Sequence, residues 1–352
     1  MSTTMRTVQL LDFEPIADQG FINWLAENNH TVLVSHTNKI IGIGRDQHGF
    51  VQVEQALFDR VTGLAVGPSG AISVAAHHEV WTMSDATDAG TLSPRGAQRW
   101  LMCRNARFVG GARPADLAPT DDDCWFVSVT LSALCSLDQT LSARVRWLPP
   151  FITAAVPEMR CRLTGLGMLD GRPAVVTSAS TCDDAGGWSM RQANGGVLID
   201  IASGEVIVAG LSMPHSPRWH NGAWWLLQAG TGELGYIDDG RFNAVARVDG
   251  FARGLTFVGN TAAIGGSGSR WDELVNGLAV GERLKASGSR PESGVFVVDT
   301  HSGARVGNLV LDGTAREISD VIVLAGTRMV ELSGPRGISA QDFTTYPELA
   351  SG

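Results

Sequence analysis

The sequence predicts an all-β protein, a six-bladed β-propeller whose blades are four-stranded antiparallel sheets. Two observations favour this fold. Glycine supplies 42 of the 352 residues, while charged residues supply only 18%, a composition typical of short strands joined by tight turns. In addition, a unit of two apolar strands around a Gly or Asp turn recurs at intervals of roughly 50 residues, the period of propeller blades. A seven-bladed propeller is the alternative, whereas a β-sandwich would leave the repeat without a cause.

The N-terminal part is predicted to be an extension over residues 1–30 that contains one short helix. Within residues 16–28, Phe21, Trp24 and Leu25 recur at near-helical spacing. One face of such a helix is apolar, so we expect it to pack on the body of the protein.

Strand patterns dominate from Thr31 onward, and we expect a single propeller domain over residues 31–334 followed by a C-terminal tail over residues 335–352. Residues 31–35 and 39–43 are two apolar runs separated by a turn, which predicts a hairpin. The last repeat unit lacks outer strands of its own. We therefore expect the N-terminal hairpin to supply them and to close the ring, which removes an open sheet edge.

One polar segment, residues 267–293, interrupts the repeat. It is predicted to be an insertion in the fifth unit, with one short helix at Trp271–Leu278. Insertions of this length in compact folds are often lids or binding loops, and a solvated loop is an equal alternative.

Charge and cysteine content limit the possible partners and compartment. The net charge of −9 argues against nucleic acid or an anionic membrane as the main partner. The five cysteines are an odd number without a CxxC pair, which is typical of reduced thiols in the cytosol. The N-terminus lacks the apolar core of a signal peptide, and no window reaches the ~20 apolar residues of a membrane span. We expect a soluble cytoplasmic protein of undefined oligomeric state.

In a propeller the first strand of each blade lines the central channel, so the starts of the six inner strands should meet at one mouth. The repeat places Arg60 and Asp320 there. It also places the predicted substrate-binding residues Arg113, Arg162, Arg218, Arg253, Asp116, Thr164 and Trp219 there. Guanidiniums in one concave site repel one another, and an acidic protein has little structural reason to gather them unless an anion balances them. Since Arg binds carboxylate and phosphate through paired hydrogen bonds, the predicted ligand is an anionic small molecule.

Two of the converging residues can transfer protons. Glu317 is the predicted acid/base, and His215 is the second candidate because imidazole changes charge near neutral pH. Phosphate-loop and dinucleotide signatures do not occur, so we predict a metal-independent enzyme without a cofactor, of lyase, isomerase or cyclase type. Three alternatives stay open: channel charges that only satisfy one another, a non-catalytic ligand- or protein-binding propeller, and a metal-dependent oxidase or hydrolase that uses His215 and Asp116.

Several motifs resemble a family of bacterial proteins known only as a domain of unknown function. The resemblance covers about residues 21–332 and is carried by these segments: Cys161-Arg162-Leu163-Thr164-Gly165-Leu166, Met213-Pro214-His215-Ser216-Pro217-Arg218-Trp219, Gly230-Thr231-Gly232-Glu233-Leu234-Gly235 and Arg253-Gly254-Leu255. It implies a propeller-like fold and brings no established activity.

The sequence departs from the family pattern at three positions. The pattern has His-Asp where this chain has Ala115-Asp116, and Cys-His-Leu-Asn-Gly-Leu where this chain has Arg162 and Thr164, whereas His215 is retained. The resemblance therefore implies that a metal-type site with several histidines has been replaced here by an arginine-rich one. One histidine with distant carboxylates is a poor transition-metal site, so we expect no bound metal.

Overall fold

The structure is a computed structural model that describes residues 12–27, 29–87, 93, 95–268, 277–313 and 317–336. Within these residues, six β-sheets form the blades of a six-bladed β-propeller, which confirms the predicted fold. No helix in the described segments is long and apolar enough to cross a membrane.

The strands follow one another along the chain in short antiparallel runs. In chain order they are β1 (Phe13–Ala17), β2 (Thr31–His36), β3 (Lys39–Arg45), β4 (Val51–Leu57), β5 (Gly63–Val66), β6 (Ile72–Ala75), β7 (Glu79–Asp85), β8 (Arg99–Phe108), β9 (Pro114–Pro119), β10 (Cys124–Ser128), β11 (Ala133–Ser136), β12 (Arg144–Trp147), β13 (Leu163–Leu169), β14 (Arg172–Ser178), β15 (Gly196–Asp200), β16 (Val206–Leu211), β17 (Pro214–His220), β18 (Ala223–Gln228), β19 (Glu233–Asp238), β20 (Arg241–Arg247), β21 (Phe251–Val258), β22 (Thr261–Ser267), β23 (Gly294–Asp299), β24 (Arg305–Gly313), β25 (Ile318–Leu324) and β26 (Val330–Ser333).

The described residues also form two α-helices, α1 (Gln19–Glu27) and α2 (Ala279–Ser287). Helix α1 lies in the segment where a helix was predicted, and its buried face packs into one inter-blade core. The predicted helix at Trp271–Leu278 falls mostly outside the described residues, since residues 271–276 are not among them, and the helix that is described begins at Ala279.

The inner strands of the six blades are β5, β9, β13, β17, β21 and β25, and each blade runs outward from its inner strand. The ring closes as predicted, because β25 from the C-terminal part pairs with β2, and β2–β4 complete that blade. Two strands lie outside the predicted four per blade: β1 adds to the outer edge beside β24, and β26 pairs in parallel with β8.

Packing of blades against one another explains the apolar runs in the sequence. Each blade contacts two neighbours, so its central strands are buried on both faces, as in the fully buried β2. Burial on both faces favours a continuous apolar run over alternation. The repeat unit seen in the sequence is therefore the pair of strands nearest the channel.

Neighbouring inner strands are joined by hydrogen bonds between a side chain of one strand and the backbone of the next. The acceptor side chains are Asp320, Asp116 and Ser216, which receive N–H groups of Leu64, Leu166 and Gly254. The donor side chains are Thr62, Thr164 and Thr256, which bind the carbonyls of Pro114, Pro214 and Val321. These bonds alternate around the ring and fix where each inner strand begins.

Five of the inner strands carry a β-bulge near their start. The register shifts place one extra residue in β9, β13, β17, β21 and β25 relative to the paired strand. A bulge re-aims the neighbouring side chains and interrupts the ladder. The bulges thus turn the first residues of the inner strands toward the mouth of the channel.

Candidate functional site

A cavity of about 430 Å³ occupies the mouth of the channel at the starts of the inner strands. Seven of the nine predicted site residues line it: Arg113, Asp116, Arg162, Thr164, His215, Arg253 and Glu317. Arg60 and Asp320 line it as well. The structure therefore brings together most of the residues that the repeat placed at this end.

Arg218 and Trp219 do not line this cavity, although the sequence predicted them at this mouth. Both line a second depression of about 680 Å³ at the opposite end of the channel, and Trp219 is 43% exposed there. A strand advances about 3.3 Å per residue. Arg218 follows His215 by three residues and so lies roughly 10 Å further along the channel, a distance that the bulge between them shortens.

Arg218 instead helps to form the floor of the cavity. Its guanidinium donates hydrogen bonds to both carboxylate oxygens of Asp116, at 3.0 and 3.3 Å. Burial lowers the pKa of Arg218, but the Asp116 carboxylate outweighs that effect and the pKa is raised. Because the guanidinium of Arg218 is already paired with the Asp116 carboxylate, Arg218 has little capacity to bind a ligand.

Asp320 is the second carboxylate beside Arg218, and it is 3% exposed. Its oxygens accept the backbone N–H groups of Leu64 and Val321, at 2.8 and 2.9 Å. Burial and the nearby Asp116 carboxylate raise the pKa of Asp320 to about 7. Because a single guanidinium lies beside two carboxylates, Asp320 keeps its proton up to about neutral pH.

Three arginines that line the cavity lack a paired carboxylate of this kind, although Glu317 acts on two of them at longer range. Within the described part of the chain, no carboxylate lies within 4 Å of a guanidinium nitrogen of Arg113, Arg162 or Arg253. The Nε atoms of Arg162 and Arg253 are buried without a hydrogen-bond partner. Burial, together with repulsion from Arg253 and Arg113, lowers the pKa of Arg162 to about 9, so the guanidinium still carries its charge at neutral pH.

His215 lines the cavity and has one ring nitrogen without a hydrogen-bond partner. Its Nδ1 lies 3.2 Å from the carbonyl oxygen of Thr164, so Nδ1 carries the proton in the neutral ring and Nε2 is the basic atom. Nε2 is buried and has no partner. Burial and repulsion from Arg253 and Arg162 lower the pKa of His215 well below its usual value. At neutral pH the ring is a neutral base.

Glu317 immediately precedes the inner strand β25 and acts on the arginines electrostatically. Burial lowers the pKa of Arg253, and the Glu317 carboxylate partly offsets that effect. The same carboxylate raises the pKa of Arg162 against the larger effects of burial and of the other arginines. Glu317 is thus close to both guanidiniums and to the mouth of the cavity.

Backbone strain is concentrated around this cavity. Six described non-glycine residues with φ between 46° and 58° line it: Arg60, Arg113, Met159, Arg162, Met213 and Ser216. The left-handed region costs such residues about 1–2 kcal/mol each. Strained residues cluster at functional sites, where the surrounding structure holds them.

Sequence reasoning did not assign the apolar residues of the cavity or the role of Asp320. Trp188 belongs to a Gly-Gly-Trp segment, but its position in the 3₁₀ helix Gly187–Arg191 puts it at the mouth only in the folded ring. Leu278 reaches the cavity from the insertion. Trp188 and Leu278 do not belong to the repeat, so no sequence pattern indicated that they line the cavity. For Asp320, the position near the start of the last repeat unit was the available signal.

The fold and the cavity together define the class: a six-bladed propeller with a cationic pocket at one mouth of its channel. Among the described residues, no group of three or more His, Cys, Asp and Glu side chains is arranged to hold a metal ion. The chain belongs to the family described as Domain of unknown function (DUF4915), whose model matches residues 19–332. The membership confirms the family resemblance, although it does not test the individual motifs.

Solved structures with propeller folds are similar to this chain at low sequence identity. One chain of a nidogen/laminin complex aligns with a TM-score of 0.52 and 11% identity over 85% of this chain and 99% of that chain. A putative 6-phosphogluconolactonase from Bacteroides uniformis aligns with a TM-score of 0.46 and 11% identity over 84% and 99%. Virginiamycin B lyase from Staphylococcus aureus aligns with a TM-score of 0.37 and 14% identity over 65% and 70%. At 11% identity, the nidogen/laminin alignment shows the fold alone.

A search of functionally curated proteins gives no match to the sequence.

Proposed function

We propose that the cavity binds an anionic small molecule and that the protein is a metal-independent enzyme of lyase, isomerase or cyclase type. The observation that carries the proposal is the set of three guanidiniums, Arg113, Arg162 and Arg253, which line one cavity without a described carboxylate within ion-pairing distance. Like charges in a poorly solvated site repel one another. A bound carboxylate or phosphate would offset that repulsion.

The proposed acid/base chemistry begins at His215. The unprotonated Nε2 of His215 can take a proton from a C–H or O–H group of the bound anion. The electron pair left behind then moves onto the oxygens of the anion, where the guanidiniums stabilise the added negative charge. Return of the proton at another atom gives an isomerisation, and loss of a leaving group gives an elimination. The protonated Nε2 of His215 supplies the returning proton, or the proton that the leaving group takes up, and the Glu317 carboxylate is the other candidate base.

The anion site can be tested by calorimetric titration of the full chain with phosphate, succinate and citrate at constant ionic strength. We expect binding of at least one of them and a loss of tenfold or more in Arg162→Gln and Arg253→Gln, since each removes a charge-assisted hydrogen bond worth about 1.5–3 kcal/mol. Arg247→Gln is the matched control, because Arg247 pairs with Glu233 on an outer strand. Equal binding by all four proteins would contradict the proposed site.

Catalysis needs a separate measurement. The purified chain is incubated with a panel of small carboxylates and phosphates, and conversion is followed by mass spectrometry. His215→Gln and Glu317→Gln should each lower any conversion by a factor on the order of 10² or more, with unchanged melting temperature. If anions bind but none is converted, the protein is a binding propeller.

A further inference from the structure

One side of the cavity is apolar and continuous. We call it the apolar wall. It consists of six cavity residues that belong to, or pack on, two adjoining buried clusters: Met159, Trp188, Met213, Ala229, Phe251 and Leu278. Phe251 contacts both clusters and joins the part of the wall formed by the blades to the part formed by the segment before α2.

The apolar wall directly adjoins the guanidiniums. The guanidinium carbon of Arg162 lies 4.2 Å from the ring centroid of Trp188. Nη1 of Arg113 lies 3.7 Å from the sulfur of Met159. An anionic group bound by these two arginines therefore has its next covalent neighbours against the wall, where water finds few hydrogen-bond partners.

The fold holds parts of the wall in the same strained backbone as the arginines. Met159 and Met213 both have φ of 48°, a conformation that favours glycine. A methionine brings no charge or capping group to such a backbone position. It does bring a polarisable side chain that adapts to an apolar partner. The strain thus positions both the charged and the apolar sides of the cavity.

We propose that the ligand is an amphiphilic anion, in which a carboxylate or phosphate is joined to an apolar body about the size of one aromatic ring. The anionic group binds Arg113, Arg162 and Arg253, and the apolar body packs on the wall. The cavity volume of about 430 Å³ lies in the range of sites that enclose such small molecules. This inference rests on the proposed anion site and adds the chemical class of its ligand.

The experiment compares matched probes by calorimetric titration of the full chain. Acetate is paired with phenylacetate, and inorganic phosphate is paired with phenyl phosphate, so that the two arms separate carboxylate from phosphate recognition. The neutral 2-phenylethanol reports on the ring without the charge. We expect the ring-bearing anion of at least one pair to bind tenfold or more tightly than its partner, because burial of roughly 60 Å² of apolar surface corresponds to about that factor.

Variants of the wall identify the source of the increment. Trp188→Ala and Phe251→Ala should each remove most of it. Phe251→Ala, which keeps the contact between Trp188 and Arg162, should also leave the affinity for acetate and phosphate within about twofold. Phe251 is only partly buried, so its variant keeps the test valid if Trp188→Ala fails to fold. Phe242→Ala is the matched control, since Phe242 is a partly buried phenylalanine on β20 outside the cavity.

Each outcome is decisive. If the small anions bind but the ring adds no affinity, the amphiphilic ligand is refuted and the anion site stands. If 2-phenylethanol binds as tightly as phenylacetate, the site does not select anions, and both proposals fail. Both also fail if none of the five probes binds. If both wall variants keep the gain in affinity that the ring provides, the ring binds elsewhere and the inference is refuted.

Discussion

The carboxyl group of Asp320 should make the protein less stable as the pH rises toward 7. The group is buried beside Asp116, and its pKa is raised from 3.8 to about 7. Between these values the native state holds a proton that the unfolded chain has lost. Stability therefore falls as the pH rises through this window, and it is constant above it.

The magnitude follows from the width of the window that is sampled. From pH 5 to a pKa of about 7 is about two units, and each unit is worth about 1.4 kcal/mol. Asp320 alone should thus lower the free energy of unfolding by about 3 kcal/mol between pH 5 and pH 8. Asp320→Asn removes the ionisation but also one acceptor for the N–H of Leu64 or Val321, which costs about 1–3 kcal/mol at every pH.

The assay is equilibrium urea unfolding of wild type and Asp320→Asn at pH 5 and pH 8. Burial also raises the pKa of Glu54 to about 7, but that group is present in both proteins and cancels in the difference. We expect the variant to gain about 3 kcal/mol relative to wild type on going from pH 5 to pH 8. If the two proteins change in parallel, within about 0.5 kcal/mol, Asp320 is ionised throughout and the described floor of the cavity is wrong.

Three further predictions concern the same ring of inner strands. By NMR, His215 should stay neutral, with the proton on Nδ1, as the pH is lowered from 8 past the usual histidine pKa of 6.5. Its pKa should rise in Arg253→Gln because one repelling cation is removed; titration near 6.5 in wild type would contradict this. At Arg113, where φ is 49°, Arg113→Gly should be about 1 kcal/mol more stable to urea than Arg113→Ala, because only glycine adopts this backbone without strain; an equal or lower stability of the glycine variant would show that the position is unstrained. Gly254→Ala places a Cβ 2.3 Å from the backbone nitrogen of Val321, whereas in the control Gly259→Ala, where φ is also positive, the Cβ meets no atom within 4 Å. The first variant should destabilise the protein by about 1–3 kcal/mol more than the second. Equal urea midpoints would refute the close approach of β21 and β25.

The blades could be predicted from the sequence because inter-blade burial affects every unit alike. Each central strand is buried on both faces and reads as an apolar run, and each turn needs Gly or Asp, so a period near 50 residues is visible. Ring closure was also predictable, since the last unit lacks outer strands and the N-terminal hairpin lacks an inner one. The strands β1 and β26 were missed because edge positions impose little pattern.

The positions of the arginines were predictable for the same reason. Four arginines lie near the start of a repeat unit, and in the folded ring the starts of all units lie at one end of the channel. They are Arg60, Arg113, Arg162 and Arg253. Depth along the channel was less predictable. Arg218 lies only three residues after His215, yet the advance along β17 takes it below the cavity into its pair with Asp116.

The sequence by itself determined the blade repeat, the closure of the ring and the gathering of cations at one mouth, because these follow from periodic burial along the chain. The tertiary structure alone decided which of those cations are paired, which nitrogen of His215 is free and where the apolar wall lies. Trp188 and Leu278 come from segments outside the repeat. The physical reason is that pairing, desolvation and wall contacts depend on distances between strands far apart in sequence, which no local pattern records.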